Sequence, residues 1–258
     1  MMRVSSSRSI AALAAVLLCA APRAYAAELT VYATGSMEVP LHQLGEDFTR
    51  VTGHKLNFVL GTTGVVLNKL QSGKADVIVI SAEAADRLQK DGRIVAGTRA
   101  DVARSLLGVG VKKGERAPDI SSSEAFKQTV LRARSIAYPD PALGATSGVY
   151  IESLFKRLGI ADEAKRKTTV KPVGAEVADA VAKGEVELGL TFISEFVGNQ
   201  GVSVVGPFPD AIQNPTLYTA GVAKESANPD AARAFVAFVT RKEAAAKLKA
   251  LGVDPATK

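Results

Sequence analysis

The stretch "ELTVYATGSMEVPLHQLGEDFTRVTG" (residues 28–53) combines a strand-like segment with a helical one, and this alternation decides the predicted fold. Its first six residues are mostly apolar and favour β structure, which predicts a buried strand. Apolar residues then recur at steps of four and three, which predicts an amphipathic helix ending near Gly53; they are Met37, Leu41, Leu44, Phe48 and Val51. A strand followed by a helix of this length can lead the chain into a parallel neighbouring strand.

Strand-like and helical segments alternate along most of the remaining sequence. Strands are predicted at 56–60, 76–81, 106–113, 135–140, 168–173, 187–192, 202–208 and 216–223, and two helices are predicted in the tail at 229–240 and 242–251. This alternation predicts an α/β fold with mixed, largely parallel sheets. Two strand–helix runs, 28–92 and 135–200, fit two lobes with a crevice between them, and a single large sheet is the alternative.

The first 26 residues have the pattern of a secretory signal peptide. Arg3 and Arg8 precede the apolar run at 10–21, and Ala24 and Ala26 form an A-x-A cleavage pattern. We predict cleavage near Ala26, export to the periplasm and no stable membrane insertion. A retained anchor is the alternative, but this run is short for a membrane span.

Composition excludes several kinds of site. Cys19, the single cysteine, lies in the predicted signal peptide, so the rest of the chain has no disulfide and no thiolate ligand. His42 and His54 match no zinc signature, and we expect neither a metal nor a cofactor. The net charge of +6 falls to +3 without the three arginines of the signal peptide, which contains no acid. This mild excess fits a small anionic ligand, and its scattered basic residues indicate no nucleic-acid surface.

Three predicted strands lead into helices through loops of small and hydroxyl-bearing residues. The loops are "ATGSM" (33–37), "LGTTGV" (60–65) and "LGATSGV" (143–149). The first N–H groups of a helix have no partner within it, and the helix dipole makes that end positive. Glycine lets a ligand approach the backbone and hydroxyls add donors, so such a loop can hold an anion. Each loop taken by itself can be explained as an ordinary helix cap. Three such loops in one chain favour a ligand site.

Several segments resemble, in order, the periplasmic molybdate-binding proteins of bacteria. They include "ELTVYATGS", "VTGHKLNFVLGTTG", "ADVIVISAEAADRL", "IAYPDPALGATSGVYIESLFKRLGI", "GEVELGLTFISE" and "NPDAARAFVAFV". The resemblance covers residues 28–255 and implies the two-lobed type II periplasmic binding protein fold, with a ligand cleft at the hinge. It also implies an ABC importer as partner. We assign 27–107 and 207–258 to lobe 1 and 108–206 to lobe 2, and we expect a monomer.

The resemblance also indicates the residues that face the ligand. Ser36 and either Thr62 or Thr63 stand at the serine positions of the first two loops, and the backbone of the third loop faces the oxyanion. Phe192 stands where molybdate binders usually have a ligand-bonding Tyr, and Arg104 replaces a neutral Asn near the hinge. The predicted ligand-binding residues are therefore Ser36, Thr62, Thr63, Arg104, Gly144, Thr146, Ser147, Gly148 and Phe192.

Departures from the molybdate pattern suggest a carboxylate ligand. The third loop is about one residue longer, and the Arg104 guanidinium could bind a carboxylate bidentately, although an inter-lobe salt bridge is the alternative for Arg104. The periplasmic aconitate isomerases resemble the same family and need no metal or cofactor. Their reaction needs a base that removes a proton beside a carboxylate. Candidate bases are Glu38, Tyr150, Glu176 and Glu195, among which we select Glu195 and Glu38.

Each of these acids has a simpler alternative, a solvated helix residue or a helix-cap partner. The sequence as a whole favours a periplasmic protein that captures a small oxyanion or polycarboxylate for an ABC-type importer. The alternative is an aconitate isomerase on the same scaffold. A binding protein that reports to a different membrane partner is a third hypothesis.

Overall fold

A computed structural model describes residues 26–256, so the predicted signal peptide lies outside the described residues except for Ala26. The strands are β1 (Glu28–Thr34), β2 (Lys55–Gly61), β3 (Val77–Ser81), β4 (Ala100–Ser105), β5 (Leu107–Lys112), β6 (Ile136–Pro139), β7 (Thr168–Lys171), β8 (Leu188–Phe192), β9 (Val202–Pro207), β10 (Thr216–Val222) and β11 (Val253–Pro255). The α-helices are α1 (Glu38–Thr52), α2 (Thr63–Leu70), α3 (Ala82–Lys90), α4 (Ser123–Arg132), α5 (Thr146–Arg157), α6 (Ala161–Arg166), α7 (Gly174–Lys183), α8 (Ile193–Val197), α9 (Pro229–Thr240) and α10 (Ala245–Ala250).

The strands form two mixed sheets. The first has six strands in the order β11-β4-β10-β3-β1-β2, and the second has five in the order β7-β6-β8-β5-β9. Parallel pairing joins β1 to β2 and β3, and β6 to β7 and β8. The other pairings of named strands are antiparallel. The predicted α/β class is confirmed. Antiparallel pairing is more common than the alternation indicates, because β5, β10 and β11 run opposite to every strand with which they pair.

The chain crosses between the sheets twice. β4 leads into β5 through Leu106 alone, and β9 returns to β10 through residues 208–215. The Gln213 side chain links the two crossings, since it accepts a hydrogen bond from the Leu107 N–H at 3.0 Å and donates one to the Leu107 carbonyl at 2.9 Å. The division into lobes at 107/108 and 206/207 stays a prediction. The second sheet itself includes Leu107 and Pro207.

Each sheet is covered by helices on both faces. Helices α1, α9 and α10 pack on one face of the first sheet, and α2 and α3 pack on the other. Helices α4, α5 and α6 cover one face of the second sheet, and α7 and α8 cover the other. Within residues 26–256, no helix combines the length and the apolar character that a membrane crossing requires.

The apolar face predicted for α1 is buried apart from its last member. Phe48 is 1% exposed, and its ring lies 5.1 Å from that of Phe235 and 5.3 Å from that of Phe238, both on α9. Val51 lies in the last turn of α1 and is 73% exposed, so its assignment to the buried face was wrong. The aromatic cluster fixes α1 against α9 and therefore fixes where the loop before α1 lies.

Truncation of this cluster is expected to destabilise the fold. Phe48→Ala should lower the free energy of unfolding by about 3–5 kcal/mol, because it removes a buried ring and leaves a cavity. Urea denaturation followed by circular dichroism measures this change. Val51→Ala on the same helix is the matched control and should change stability by less than about 0.5 kcal/mol. Equal effects of the two substitutions would contradict the assigned packing.

Candidate anion site

A small cavity lies between the two sheets, where the carboxyl ends of strands from both sheets meet. Its volume is about 30 Å³, room for about two water molecules. The first sheet contributes the ends of β1 and β2 and one side chain of β10, and its main lining residues are Thr34, Gly35, Ser36, Thr62, Thr63 and Tyr218. The second sheet contributes the ends of β6 and β8 and the starts of α5 and α7, with Ala145, Thr146, Ser147, Gly174, Phe192 and Glu195. Ligands of open α/β sheets bind at such strand ends.

Two buried hydroxyl groups that line the cavity lack a hydrogen-bond partner in good geometry. Ser36 is 4% exposed and Thr34 is 3% exposed, and neither side-chain oxygen forms such a bond within the described residues, although the Tyr218 hydroxyl lies close enough to both for them to lower its pKa. Buried polar groups are normally paired, because an unpaired one carries its desolvation penalty. A ligand that accepts hydrogen bonds in the cavity would satisfy these hydroxyls.

The loops before α2 and α5 touch each other across the cleft. The Thr62 hydroxyl caps α2 by accepting from the Val65 N–H at 3.2 Å, and it donates to the Leu143 carbonyl on the other side. The hydroxyl oxygens of Thr63 and Thr146 lie 3.1 Å apart. These contacts hold the two sheets together beside the cavity.

Two glycines allow this close approach. The Gly64 N–H donates to the Gly144 carbonyl at 3.3 Å. A Cβ atom on Gly144 would lie 2.8 Å from the Gly64 Cα, and the φ of +68° at Gly144 is one that glycine adopts most easily. The polar loops therefore meet backbone to backbone, with no side chain between them at this point.

Glu195 supplies the carboxyl group of the cavity, and among the lining residues in the described part of the chain there is no Lys, Arg or His. Burial raises the pKa of Glu195 from 4.5 to about 7, and the nearby Glu38 carboxylate adds to the rise. Hydrogen bonds from the Thr191 hydroxyl and from the backbone of Phe192 and Gly174 oppose the rise. Glu195 therefore changes protonation near neutral pH, inside a cavity that has no cation to hold it ionised.

Close packing fixes the Glu195 carboxyl group between the two sheets. A Cβ atom on Gly174, the first residue of α7, would overlap this carboxyl group. A Cβ atom on Gly35 of the first-sheet loop would lie 3.7 Å from Glu195 Oε1. Tyr218 of β10 is buried, and burial together with the Glu195 charge raises the pKa of its hydroxyl. The cavity thus combines one titrating carboxyl group with neutral donors.

The structure brings most of the predicted binding residues together. Six of the nine line the cavity, namely Ser36, Thr62, Thr63, Thr146, Ser147 and Phe192, and Glu195, which was predicted as a base, lines it as well. Gly144 lies beside the cavity against Gly64, and Gly148 packs against the Pro139 carbonyl, where a Cβ atom would not fit. The ring of Phe192 lies 6.2 Å from that of Tyr218 across the junction of the sheets.

Other predicted residues lie away from the cavity lining. Arg104 is exposed on β4, and Glu176 is exposed in the first turn of α7. Glu38 at the start of α1 acts on the pKa of Glu195 but does not line the cavity. The Tyr150 hydroxyl donates to the Ile212 carbonyl at 2.8 Å and accepts from Arg157 at 2.9 Å, so its hydrogen bonds are structural.

Two parts of the lining were not predicted from the sequence. The loop "PVGAE" (172–176) leads from β7 into α7 through Gly174 and has the same small-residue pattern as the three loops that were predicted. Tyr218 lies on an antiparallel strand, so no loop pattern marks it. Its place in the cavity follows from sheet topology alone.

Residues 29–254 match the model of a family described as bacterial extracellular solute-binding protein. The chain belongs to this family. The matched region includes every residue of the cavity lining. Membership in an extracellular family identifies the chain as an exported protein that binds a solute.

Two relatives that align with almost the whole chain have different functions, one as an enzyme and one as a binding protein. An aconitate isomerase from a Pseudomonas species is 33% identical, covering 95% of each chain. The molybdate-binding protein ModA of Azotobacter vinelandii is 29% identical, covering 97% of this chain and 98% of its own. The solved structure of the Azotobacter vinelandii periplasmic molybdate-binding protein superposes with a TM-score of 0.74, at 21% identity, over 87% of this chain and 98% of that one. The two-lobed fold is therefore confirmed.

The raised pKa of Glu195 predicts a pH-dependent stability. The folded state binds the Glu195 proton more tightly than the unfolded state, so this contribution to stability is greatest below pH 4.5 and is lost as the pH rises to about 7. The loss amounts to roughly 3 kcal/mol. Urea denaturation at several pH values should show a flatter profile for Glu195→Gln than for the wild type. Parallel profiles would show that Glu195 does not titrate as described.

Proposed function

We propose that the chain captures a small anion in the cavity between its two sheets, in the periplasm, and presents it to an ABC-type importer. The observation that carries this proposal is the pair of buried hydroxyls of Thr34 and Ser36, which lack a hydrogen-bond partner in good geometry within residues 26–256. They lie beside the helix starts at Thr63, Thr146 and Gly174, whose N–H groups and dipoles favour negative charge. Family membership supports a solute ligand, and the predicted cleavage near Ala26 supports release into the periplasm.

Capture requires the two sheets to separate and close again. The contacts of Thr62 with Leu143 and of Thr63 with Thr146 bridge the two sheets beside the cavity of about 30 Å³. Between residues 26 and 256, the chain passes from one sheet to the other only at Leu106 and at residues 208–215, which can act as a hinge. A ligand that contacts hydroxyls and amides on both sides favours the closed state through its higher affinity for that state.

Anion binding should depend on the first-loop hydroxyl and on pH. We expect sulfate or molybdate to raise the melting temperature, and Ser36→Ala to weaken binding about tenfold to a hundredfold, since a hydrogen bond to a charged group is lost. Binding should strengthen as the pH falls from 8 to 6, because neutral Glu195 no longer repels the anion. Isothermal titration calorimetry measures both effects. Ser72→Ala, on an exposed turn, is the control. Binding that is unaffected by Ser36→Ala would place the anion elsewhere.

Glu195 favours a second candidate function, the interconversion of cis- and trans-aconitate. A carboxyl group with a pKa of about 7 is suited to act as a general base at neutral pH. Glu195 would remove a proton from the methylene carbon of aconitate, and the C–H electrons would form the new double bond. The electrons of the old double bond would take the proton back at the former vinyl carbon. The identity of 33% to the Pseudomonas aconitate isomerase supports this candidate.

Isomerase activity would have the opposite pH dependence to anion binding. The base acts when it is ionised, so kcat/KM should fall below a pH of about 7. Glu195→Gln should reduce turnover about 100-fold to 10,000-fold. Glu163→Gln is the matched control, because Glu163 also lies in the first turn of a short helix but is exposed. Ultraviolet absorbance follows the interconversion. Absence of turnover in wild-type protein that binds aconitate would reject the enzyme and keep the binding function.

A further inference from the structure

A second cavity of about 510 Å³ adjoins the anion cavity on the side of α3. We name it the Ser81 cavity; Ser81 and Thr216 are among the residues that line it. Thr63 and Thr146 line both cavities, and their hydroxyl oxygens lie 3.1 Å apart where the two spaces adjoin. A ligand that extends from one cavity into the other would pass this hydroxyl pair.

Two residues that line the Ser81 cavity carry hydroxyl groups and are largely buried. Ser81 is 8% exposed and Thr216 is 9% exposed, and both line the cavity. Ser81 directly precedes α3, yet its side chain does not cap that helix. The first-turn residues Ala82, Glu83 and Ala84 line the same space. A buried hydroxyl beside a helix start that it does not cap is available to donate to a ligand.

Arg87 supplies the positive charge that the anion cavity does not have. Arg87 lines the Ser81 cavity from the second turn of α3, and no other Lys, Arg or His of residues 26–256 lines either cavity. Its guanidinium pairs with Glu83 one turn earlier, where the two side chains are 69% and 80% exposed. Such an exposed pair is weak, so a carboxylate ligand can compete with Glu83 for the guanidinium.

We propose that the Ser81 cavity holds a further carboxylate of a di- or tricarboxylate ligand whose first carboxylate occupies the anion cavity. This inference rests on the proposed function, since it extends the same site. The small cavity alone suits one tetrahedral oxyanion or one carboxylate, held by neutral donors. A ligand with several charges needs the additional volume, the hydroxyls of Ser81 and Thr216, and the Arg87 charge. The Thr63 and Thr146 hydroxyls then donate to the ligand that separates them.

Calorimetric titration of the mature chain with cis-aconitate and, separately, with sulfate tests the proposal. Arg87→Gln should weaken aconitate binding tenfold or more and change sulfate binding less than twofold. Glu83→Gln should strengthen aconitate binding, because it frees the guanidinium. Ser81→Ala should weaken aconitate binding severalfold and is a second test if Arg87→Gln lowers stability. Arg50→Gln is the control, since the Arg50 side chain is 71% exposed, pairs with an acid of its own helix, Asp47, and lines neither cavity.

The outcomes separate this inference from the proposed function. Aconitate binding that is unchanged in both Arg87→Gln and Ser81→Ala would overturn the second subsite and leave anion binding intact. Sulfate binding without any aconitate binding by the wild type would also overturn it. Failure of every anion to bind would overturn the proposed function as well. Equal loss of aconitate and sulfate binding in Arg87→Gln would show a general electrostatic effect and would reject the subsite.

Discussion

The contact between the loops that begin α2 and α5 determines how the two halves of the molecule meet. Thr62 caps its own helix and at the same time donates to the Leu143 carbonyl of the other half. The backbones of Gly64 and Gly144 touch because neither residue has a Cβ atom. The Ser194 hydroxyl adds a further hydrogen bond between the two halves, to the Ser36 carbonyl at 2.8 Å. The geometry of the two loops therefore sets both the size of the anion cavity and its separation from the Ser81 cavity.

The ionisation of Glu195 is the second constraint on this junction. Its carboxyl group lies against Gly174, Gly35 and Thr191. Its ionisation is also coupled to the Glu38 charge, and its own charge raises the pKa of Tyr218. A charge in this position has no cation partner, so burial raises the pKa to about 7. A carboxyl group that titrates here can donate to an anion when it is neutral and can accept a proton when it is ionised. The same residue thus serves the binding and the isomerase candidates in opposite protonation states.

Local patterns in the sequence predicted helices with one apolar face and strands that are apolar throughout. The helix predicted at 229–240 coincides with α9, and the apolar run at 106–113 contains β5. β4 was not predicted, because Ala100–Ser105 mixes charged and apolar residues and its exposure does not alternate regularly. α4 was not predicted either, since "SEAFKQTVLR" buries only Phe126 and Val130.

The site residues that could be predicted are those in loops between a strand and the following helix, because the neighbouring sequence alone identifies such loops. Ser36, Thr62, Thr63, Thr146 and Ser147 each stand at a strand end that leads into a helix, and the sequence shows that position directly. Tyr218 and the exposed position of Arg104 depend on strand pairing across the sheet, which a single sequence does not show. The Ser81 cavity is lined by residues of both α3 and α5. The position of these two helices relative to each other is set by tertiary packing, which the sequence pattern does not show.

The central claim is that an anion is held at the junction of the two sheets. A crystal structure of the mature chain in complex with cis-aconitate tests this claim most directly. We predict one carboxylate beside the Ser36 hydroxyl and the starts of α2, α5 and α7, within hydrogen-bond distance of Glu195. The remainder of the ligand should extend past Thr63 and Thr146 towards Ser81 and Arg87. Ligand density outside both cavities, with the junction unchanged, would contradict the claim.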